Sequence, residues 1–324
     1  MAIRIGIVGT GWFGRMHAEK LAAMEGVEIA AFCATSQQKA DAAAVSYSGA
    51  KGYASIEEML DGSKPDAVYI CVPPFAHGGM ELALIERRIP FLVEKPLGVN
   101  YEQPDQIKEA VERTGLITSV GYHFRYMEST DRARELLAER TPLMAAGHWM
   151  GSMPGVGWWR RMEGSGGQFV EQTTHIVDLL RYTLGEITEV YAAYGSRYMA
   201  EQAEGVTVPD VGTVTLKLAN GTVASISNTC AIEGGHRAGL HIYTNAGVVE
   251  LSNGGLLDWE GSRKTEYINR LNPYERENEA FLHAVRTGDA SRIRSAYTDA
   301  WRTHRVTMAA NESAAAGKPV AVRL

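Results

Sequence analysis

Three separated segments of this sequence carry residues whose types and spacing could support chemistry. Gly9-Thr10-Gly11-Trp12-Phe13-Gly14 is a G-x-G-x-x-G pattern, which allows a tight turn and the close approach of a dinucleotide pyrophosphate to a helix N-terminus. Glu94-Lys95-Pro96 offers an ammonium group, and Glu171 and His175, four residues apart, offer a carboxylate and an imidazole. Alcohol oxidation needs a hydride acceptor, a base and a positive group beside the developing oxyanion, which these segments could supply.

The glycine pattern lies in the structural context that its chemistry requires. A predicted strand, Ile3–Val8, precedes it and a predicted helix, Trp12–Met24, follows it, so it differs from a chance glycine-rich turn. Short apolar runs then alternate with helical patterns, which predicts right-handed crossovers and a parallel doubly wound sheet. The further predicted strands are Val27–Cys33, Ala67–Val72, Phe91–Val93 and Ile117–Val120, and the further helices cover residues 37–45, 56–60, 79–87 and 104–113.

After about Gly121 the pattern changes to helices followed by strands. Asn220-Gly221 is a favoured two-residue turn between alternating segments, and Asn272 with Pro273 begins a helix in the tail. The predicted helices are 131–139, 171–184 and 274–286, and the predicted strands are 211–218, 222–227, 241–244 and 248–251. We therefore expect an α/β protein with a Rossmann dinucleotide-binding domain over residues 1–121. We expect an α+β domain for substrate binding and oligomerisation, with a mostly antiparallel open sheet, over residues 122–324.

Composition excludes several other classes of protein. The 324 residues are 45% hydrophobic and 22% charged with a net charge of −6 and no basic patch, which argues against nucleic acid as a partner. No apolar run approaches the roughly 18 residues of a membrane helix. Cys33, Cys71 and Cys230 fit neither a zinc site nor a redox pair, so we expect reduced thiols, no metal and a cytoplasmic location.

The end of the second strand bears on the choice of cofactor. NAD-binding proteins place a carboxylate there to grip the ribose 2′-hydroxyl, but this strand ends Cys33-Ala34-Thr35-Ser36. Thr35, Ser36 and Lys39 would tolerate a 2′-phosphate, so the sequence favours NADP over NAD. The same three residues could equally form an ordinary helix cap and a solvated helix face.

Three segments of the sequence together point to one family of oxidoreductases. These are the glycine pattern, Glu94-Lys95-Pro96, and the Gly166–Asp178 segment with the sequence G-G-Q-F-V-E-Q-T-T-H-I-V-D. In these segments the sequence resembles the Gfo/Idh/MocA family. The resemblance covers the whole chain, and its other features are Val72-Pro73-Pro74 with His77, Trp158-Trp159-Arg160, and Tyr274, Glu277 and Phe281. It implies that Lys95 polarises the substrate oxygen, that His175 is the general acid/base, and that Glu94 approaches the nicotinamide ribose. Pro96 could follow a cis bond.

The chain departs from the family at three positions. Glu171 stands where the family usually has Asp, Thr173 where it often has Gly, and His123 where it often has Asn. These changes leave the reaction type in place and the substrate undetermined. The residues assigned to catalysis are Lys95, His175 and Glu171. Those assigned to the cofactor are Gly9, Gly11, Trp12, Phe13, Gly14, Thr35, Ser36, Lys39, Pro73, His77, Glu94 and Lys95.

A third set of residues is assigned to a small polyhydroxylated substrate: Tyr122, His123, Trp158, Trp159, Arg160 and Asp178. Indole faces suit the C–H faces of sugars, and arginines suit hydroxyl or carboxylate groups. Each has a structural alternative: one Trp could be core, and Asp178 could serve on a helix surface or in a cap. His77 could begin a helix, and His17 could simply pack in the first helix.

Two other functions remain open at this point. One is an NAD-dependent glycosidase on the same scaffold, which would keep its cofactor bound without net turnover. The other is a non-catalytic nucleotide-sensing regulator, against which the presence of Lys95, Glu171 and His175 speaks. The open sheet of the second domain would leave one face uncovered, so we expect a homodimer or homotetramer.

Overall fold

The computed structural model describes residues 2–324, which form two compact units. The first comprises residues 2–97, Glu102–Gly121 and Tyr274–Asp299; the second comprises Gly98–Tyr101, Tyr122–Pro273 and Ala300–Leu324. The segment Gly98–Tyr101, which we expected in the first domain, belongs to the second unit. The tail segment Tyr274–Asp299, which we expected in the second domain, instead packs within the first unit.

The first unit is built on a parallel sheet of six strands in the order β3-β2-β1-β4-β5-β6, the strand order of a dinucleotide-binding Rossmann fold. Its strands are β1 (Ile3–Val8), β2 (Val27–Cys33), β3 (Lys51–Tyr53), β4 (Ala67–Ile70), β5 (Phe91–Val93) and β6 (Thr118–Val120). The connecting helices are α1 (Trp12–Ala22), α2 (Gln37–Ala44), α3 (Ile56–Ser63), α4 (Gly79–Glu86) and α5 (Glu102–Thr114), with a 3-10 turn at Pro74–Ala76.

Burial on both faces explains why the inner strands of this sheet are almost entirely apolar. All four residues of β4 are buried, and side chains from β1, β2 and β4 share one core with helix α1. Ser36 and Ser55 begin α2 and α3 by accepting hydrogen bonds from the N–H groups of Lys39 and Glu58. This arrangement fixes the carboxyl ends of the strands, where ligands of such sheets bind.

The second unit is built on a nine-stranded sheet in the order β14-β13-β12-β11-β7-β10-β9-β8-β15. Only β7 and β10 pair in parallel, so the predicted mostly antiparallel sheet is confirmed. The strands are β7 (Pro142–Met150), β8 (Ile187–Gly195), β9 (Val211–Leu218), β10 (Val223–Thr229), β11 (Arg237–Thr244), β12 (Gly247–Ser252), β13 (Gly255–Glu260), β14 (Arg263–Ile268) and β15 (Val320–Ala321).

Helices cover one face of this sheet. Helices α6 (Glu128–Ala138) and α9 (Thr174–Leu184) contribute to its core. The unit also contains α7 (Met162–Ser165), α8 (Gln168–Glu171) and α10 (Met199–Gln202), with 3-10 turns at His123–Tyr126 and Gly157–Arg160. The last two helices of the chain are α11 (Pro273–Thr287), which belongs mainly to the first unit, and α12 (Tyr297–Ala316). Alternation in β9 shows the two faces: Val214 and Leu216 are buried, whereas Thr213 and Thr215 are exposed.

The three cysteines are free thiols, as expected. Among residues 2–324, no helix combines the length and the apolar character that crossing a membrane would require.

Candidate functional site

The turn between β1 and α1 has the backbone that the glycine pattern predicts. Gly9 has a φ of +97°, and a Cβ there would collide with the carbonyl oxygen of Cys71; a Cβ on Gly14 would collide with the carbonyl oxygen of Gly9. A Cβ on Gly11, in contrast, would have no heavy atom within 4 Å. Gly9 and Gly14 therefore allow close backbone packing, while Gly11 leaves space for a ligand at the start of α1. This cradle fits a pyrophosphate.

A cavity of about 450 Å³ lies beside this turn. Thr35, Lys39 and Pro73, three of the residues assigned to the cofactor, line it, whereas Ser36 caps α2. The cavity is lined by Val8, Gly9, Thr10, Gly11, Cys33, Ala34, Thr35, Lys39, Ala54, Ser55, Ile56, Glu57, Cys71, Val72, Pro73 and Met80.

Charges of both signs lie on the wall of this cavity. Lys39 Nζ donates to Thr35 Oγ1 over 3.2 Å, and Glu57 contributes a carboxylate from the first turn of α3. Burial, with the charges of Glu57 and Glu58, raises the pKa of the Cys33 thiol to about 11. The sequence pattern located Lys39 but did not show that Glu57 would face the same cavity.

Lys95 lies two residues after β5 and is largely buried, with 8% of its surface exposed. Its Nζ lies 5.9 Å from the centroid of the Phe13 ring, so the first turn of α1 and the end of β5 meet at this ammonium group. Trp12, whose ring meets that of Phe13 edge-on, is 68% exposed. The peptide bond between Lys95 and Pro96 is cis, as the resemblance suggested.

Glu94, next to Lys95, has a buried partner that the sequence did not indicate. His17 Nε2 lies 2.9 Å from Glu94 Oε1, and the N–H of Lys95 donates to Glu94 Oε2 over 3.2 Å. His17 does pack within α1 and is completely buried, but packing is only part of its role. No spacing rule links residues 77 positions apart, so this contact could not be predicted.

His77 lies in the short connection between the 3-10 turn Pro74–Ala76 and helix α4, which begins at Gly79. Its Nδ1 lies 2.6 Å from Glu81 Oε1, and Glu81 Oε2 accepts the N–H of Gly78 over 2.7 Å. Burial would raise the pKa of the Glu81 carboxyl, but the His77 charge and these hydrogen bonds lower it overall. Any contact of the His77 side chain with a cofactor would have to use Nε2.

In the second unit, His175 lies in the first turn of α9 and is 4% exposed. Its ring makes stacked contacts with Phe124, at a centroid distance of 5.0 Å, and with Trp149, at 5.8 Å. The ring of His123 meets it at 4.9 Å and that of Tyr122 at 5.9 Å. Aromatic contacts on several sides fix the plane of the imidazole, as a proton-transfer group requires.

Glu171 does not continue the helix that carries His175. Helix α8 ends at Glu171, and α9 begins at Thr174, so the prediction of one helix over residues 171–184 is wrong. The Glu171 carboxylate accepts a 2.7 Å hydrogen bond from Trp159 Nε1. The position of this carboxylate is therefore set by an indole donor from another segment and not by a helix shared with His175.

Three of the residues assigned to the substrate are buried and make contacts inside the second unit instead. Trp159 is 1% exposed and packs with Val208 and Cys230, so it cannot offer an indole face to a sugar without moving. Tyr122 is also 1% exposed, and its hydroxyl lies 2.8 Å from Thr174 Oγ1. Trp158, Arg160 and His123 keep part of their surface exposed and remain the candidates for substrate contact.

Asp178 is the third corrected assignment. Arg125 donates to both of its oxygens, over 2.7 Å from Nε and 2.6 Å from Nη2, and Thr303 Oγ1 donates to Oδ1 over 2.7 Å. Asp178 is completely buried and Arg125 is 2% exposed. The carboxylate therefore belongs to a buried ion pair, and neither a helix-surface nor a capping role describes it.

The first unit thus has the geometry of a dinucleotide-binding domain, and the second carries a histidine and a carboxylate on a separate α+β scaffold. Residues 3–122 match the model described as the oxidoreductase family with an NAD-binding Rossmann fold, and residues 131–250 match the GFO/IDH/MocA C-terminal domain. The chain belongs to the Gfo/Idh/MocA family of oxidoreductases. The family predicted from the sequence is confirmed.

Curated relatives cover most of the chain at low identity. The myo-inositol 2-dehydrogenase of Thermotoga maritima is 23% identical over 296 residues, which are 88% of this chain and 86% of that protein. The rhizopine catabolism protein MocA of Rhizobium meliloti is 26% identical over 295 residues, 88% of this chain and 87% of that protein. Among solved structures, levoglucosan dehydrogenase in complex with NADH and levoglucosan superposes with a TM-score of 0.89 at 20% identity, covering both chains fully. At that identity the likeness establishes the fold alone.

Proposed function

We propose that this protein is a nicotinamide-dependent dehydrogenase that acts on a CH–OH group of a sugar, sugar derivative or cyclitol. The observation that carries the proposal is the turn at Gly11, which is open to a ligand, together with the Lys95 ammonium buried at the end of β5. A nicotinamide bound there supplies the hydride acceptor or donor. The relatives' names, which refer to inositol and levoglucosan, support a polyhydroxylated substrate.

In this proposal Lys95 polarises the reacting oxygen and His175 transfers the hydroxyl proton. An ammonium group in a largely buried position is poorly screened by water, so it stabilises a developing oxyanion more strongly than an exposed one. Stacked contacts with Phe124 and Trp149 fix the ring plane of His175, which keeps its proton-accepting nitrogen in one direction. Such a base contributes roughly 10²–10⁴-fold to the rate.

Glu171 is assigned to catalysis because it stands at the position where the family usually has Asp. Its hydrogen bond from Trp159 gives the longer side chain a defined position. Trp158 and Arg160, both partly exposed, are the proposed contacts for the C–H face and the hydroxyl groups of the substrate.

We also propose that NADP is the preferred cofactor, with NAD accepted. Residues 33–36 at the end of β2 contain no carboxylate, and Lys39 lines the adjoining cavity, where it would attract a 2′-phosphate. Glu57 lines the same cavity and would repel that phosphate, so the preference depends on the balance of the two charges. Fluorescence titration with NADPH and NADH measures this balance: K39A should lose affinity mainly for NADPH, whereas E57Q should gain it. Equal effects of K39A on both cofactors would contradict the assignment.

The activity itself is tested with a panel of sugars and inositols, monitored by the absorbance of the reduced nicotinamide. Wild-type protein should convert added NADP⁺ or NAD⁺ steadily, and K95M should lose turnover while its cofactor affinity stays nearly unchanged. Release of sugar without net cofactor reduction would favour the glycosidase instead. Cofactor binding with no turnover on any substrate would favour the nucleotide-sensing regulator, and turnover that survives in K95M would refute the role of Lys95.

We further propose that the protein forms a homodimer or homotetramer through the sheet face of the second unit that its helices leave uncovered. Strand register places five apolar residues in one row across that face: Trp259, Val248, Tyr243, Met144 and Val223. Met144 and Val223 are 44% and 47% exposed. A continuous apolar row on an open sheet supports burial against a second copy.

A further inference from the structure

We propose that His17 is a positioning residue of the cofactor site, which fixes the carboxylate of Glu94 and thereby the start of the Lys95 segment. The inference rests on the proposed function, because it concerns how the nicotinamide end of that site is held. It adds a residue in the middle of α1 to a site otherwise built from the glycine turn and the end of β5.

The two oxygens of Glu94 have separate partners within the first unit. Oε1 lies 2.9 Å from His17 Nε2, and Oε2 accepts the N–H of Lys95 over 3.2 Å. An ionised carboxylate can only accept hydrogen bonds, so the imidazole carries its hydrogen on Nε2 and donates it. With both oxygens engaged, the carboxylate has one defined orientation.

The surroundings leave this carboxylate little freedom to move. His17 is fully buried and Glu94 is 4% exposed. A Cβ on Gly121 would lie only 2.6–2.9 Å from the carboxylate atoms, so this position needs glycine to accommodate Glu94. The His17 ring packs against Tyr69 at 5.2 Å and Tyr274 at 6.1 Å. Burial, with the charges of Glu94 and Glu277, raises the pKa of the Tyr274 hydroxyl, which places that tyrosine in the same enclosure.

Helix α1 links this contact to the rest of the cofactor site. His17 lies one turn after Phe13 on the same helix face, and Phe13 packs beside the Lys95 ammonium. Gly14, between them, lets α1 pack closely on the turn at Gly9. Helix α1 therefore has two roles in the proposed site. Its N-terminus faces the pyrophosphate, and its second turn, through His17, contacts Glu94 at the end of β5. Loss of the His17 hydrogen bond should loosen Glu94 and Lys95 without altering the glycine turn.

The inference is tested by titrating NADH into purified full-length variants and following nicotinamide fluorescence. H17L removes the donor at similar volume, H17N has an amide too short to reach Glu94, and H17Q keeps a donor at longer reach. A hydrogen bond to a charged group corresponds to roughly tenfold or more in affinity, so H17L and H17N should bind NADH about tenfold more weakly. H17Q should recover most of the wild-type affinity. K20Q, which removes a surface ion pair with Glu275 from the same helix but leaves the bond to Glu94 in place, is the matched control and should bind normally.

A double-mutant cycle separates positioning from general destabilisation. E94Q should weaken NADH binding, and H17N combined with E94Q should weaken it no further, because both changes disrupt one interaction. Additive effects, or wild-type affinity in folded H17N, would overturn the inference. If H17L fails to fold by circular dichroism, H17N, H17Q and the cycle decide the question. If wild-type protein binds neither NADH nor NADPH, it is the proposed function that fails; wild-type binding that is unaffected by His17 variants refutes only this inference.

Discussion

Asp178 illustrates how much the partners of a polar side chain decide its role. In the sequence it follows His175 at helical spacing and was assigned to the substrate. In the structure Arg125 and Thr303, which are 53 and 125 residues away, bind its oxygens in the interior. Helical periodicity identifies which residues share a face, but it contains no information about a guanidinium from a distant segment. The same reason explains why His17 was not connected with Glu94.

Replacing Asp178 by Asn should destabilise the protein without a specific effect on substrate affinity. The change leaves the buried Arg125 guanidinium without its counter-ion, which costs about 3–5 kcal/mol. Thermal unfolding monitored by circular dichroism should show a clear fall in midpoint. E189Q is a suitable control because Glu189 pairs with Lys217 on the surface, where such pairs contribute at most about 1 kcal/mol. A D178N variant as stable as E189Q, with a raised KM, would restore Asp178 to the substrate site.

The glycine pattern, in contrast, was interpreted correctly from the sequence because its constraints are local. The β1–α1 turn and its first helical turn need particular backbone conformations and close approaches, and these depend on a few consecutive residues. The position of Lys95 at the end of a parallel strand was also predictable. The burial of Trp159 and Tyr122 was not, because their partners are distant in sequence: Val208 and Cys230 pack with Trp159, and Thr174 contacts the Tyr122 hydroxyl.

At the scale of the β1–α1 element, Gly11 and Gly14 should respond oppositely to alanine. A methyl group at Gly14 would collide with the Gly9 carbonyl, so G14A should lose roughly 1–3 kcal/mol of stability through overpacking. A methyl group at Gly11 meets no protein atom, and the backbone there has a φ of −72° that alanine adopts freely. G11A should therefore unfold near the wild-type temperature but bind NADH at least about tenfold more weakly, a loss of roughly 1.4 kcal/mol. A destabilised G11A, or a G11A that binds NADH normally, would show that the turn does not hold a pyrophosphate as described.

Three of the missed strands share a physical cause. The central strand β7 contains Pro142, Ala145, Ala146 and Gly147, residues with low strand propensity. Gly147 is required there because a Cβ would lie 2.7 Å from Ile176 Cγ2 of α9. Strands β13 and β14 form a hairpin rich in charged residues, so neither shows clear alternation. Tertiary pairing with neighbouring strands, rather than local preference, stabilises all three.

Helix α11 shows where prediction of the whole chain's organisation reaches its limit. Its start at Pro273 was predicted and is confirmed. Its place in the first unit was not, although Phe281 and Leu282 complete the core beside β1 and β4. An amphipathic pattern specifies that a face must be buried but not which of two cores buries it.

The stability of the whole molecule should fall on mild acidification, in part because of His148 on the uncovered sheet face. Burial, followed by the charges of Arg237, His241 and His236, lowers the pKa of His148 to about 4. In the unfolded chain a histidine titrates near pH 6.5. Between these values the unfolded state binds a proton that the folded state does not, so stability decreases as the pH falls from about 6.5 to about 4. As the pH is lowered across this range, the thermal unfolding midpoint should fall less steeply for H148N than for wild type. Equal pH dependence of the two midpoints would show that His148 does not contribute.

Assembly through the uncovered face is the prediction that concerns the largest scale. Met144 lies between Tyr243 and Val223 in the apolar row, so a carboxylate there would be buried without a partner in a sheet-to-sheet interface. M144E should therefore shift the protein to monomer in size-exclusion chromatography with light scattering, since a stable interface of about 1,600 Å² does not tolerate an unpaired central charge. D61K changes the charge of an exposed residue of α3 in the first unit and should leave the mass unchanged. Because the cavity beside Gly11 belongs to the first unit alone, monomeric M144E should still bind NADH. A wild-type monomer, or an M144E oligomer of wild-type mass, would exclude this face as the interface.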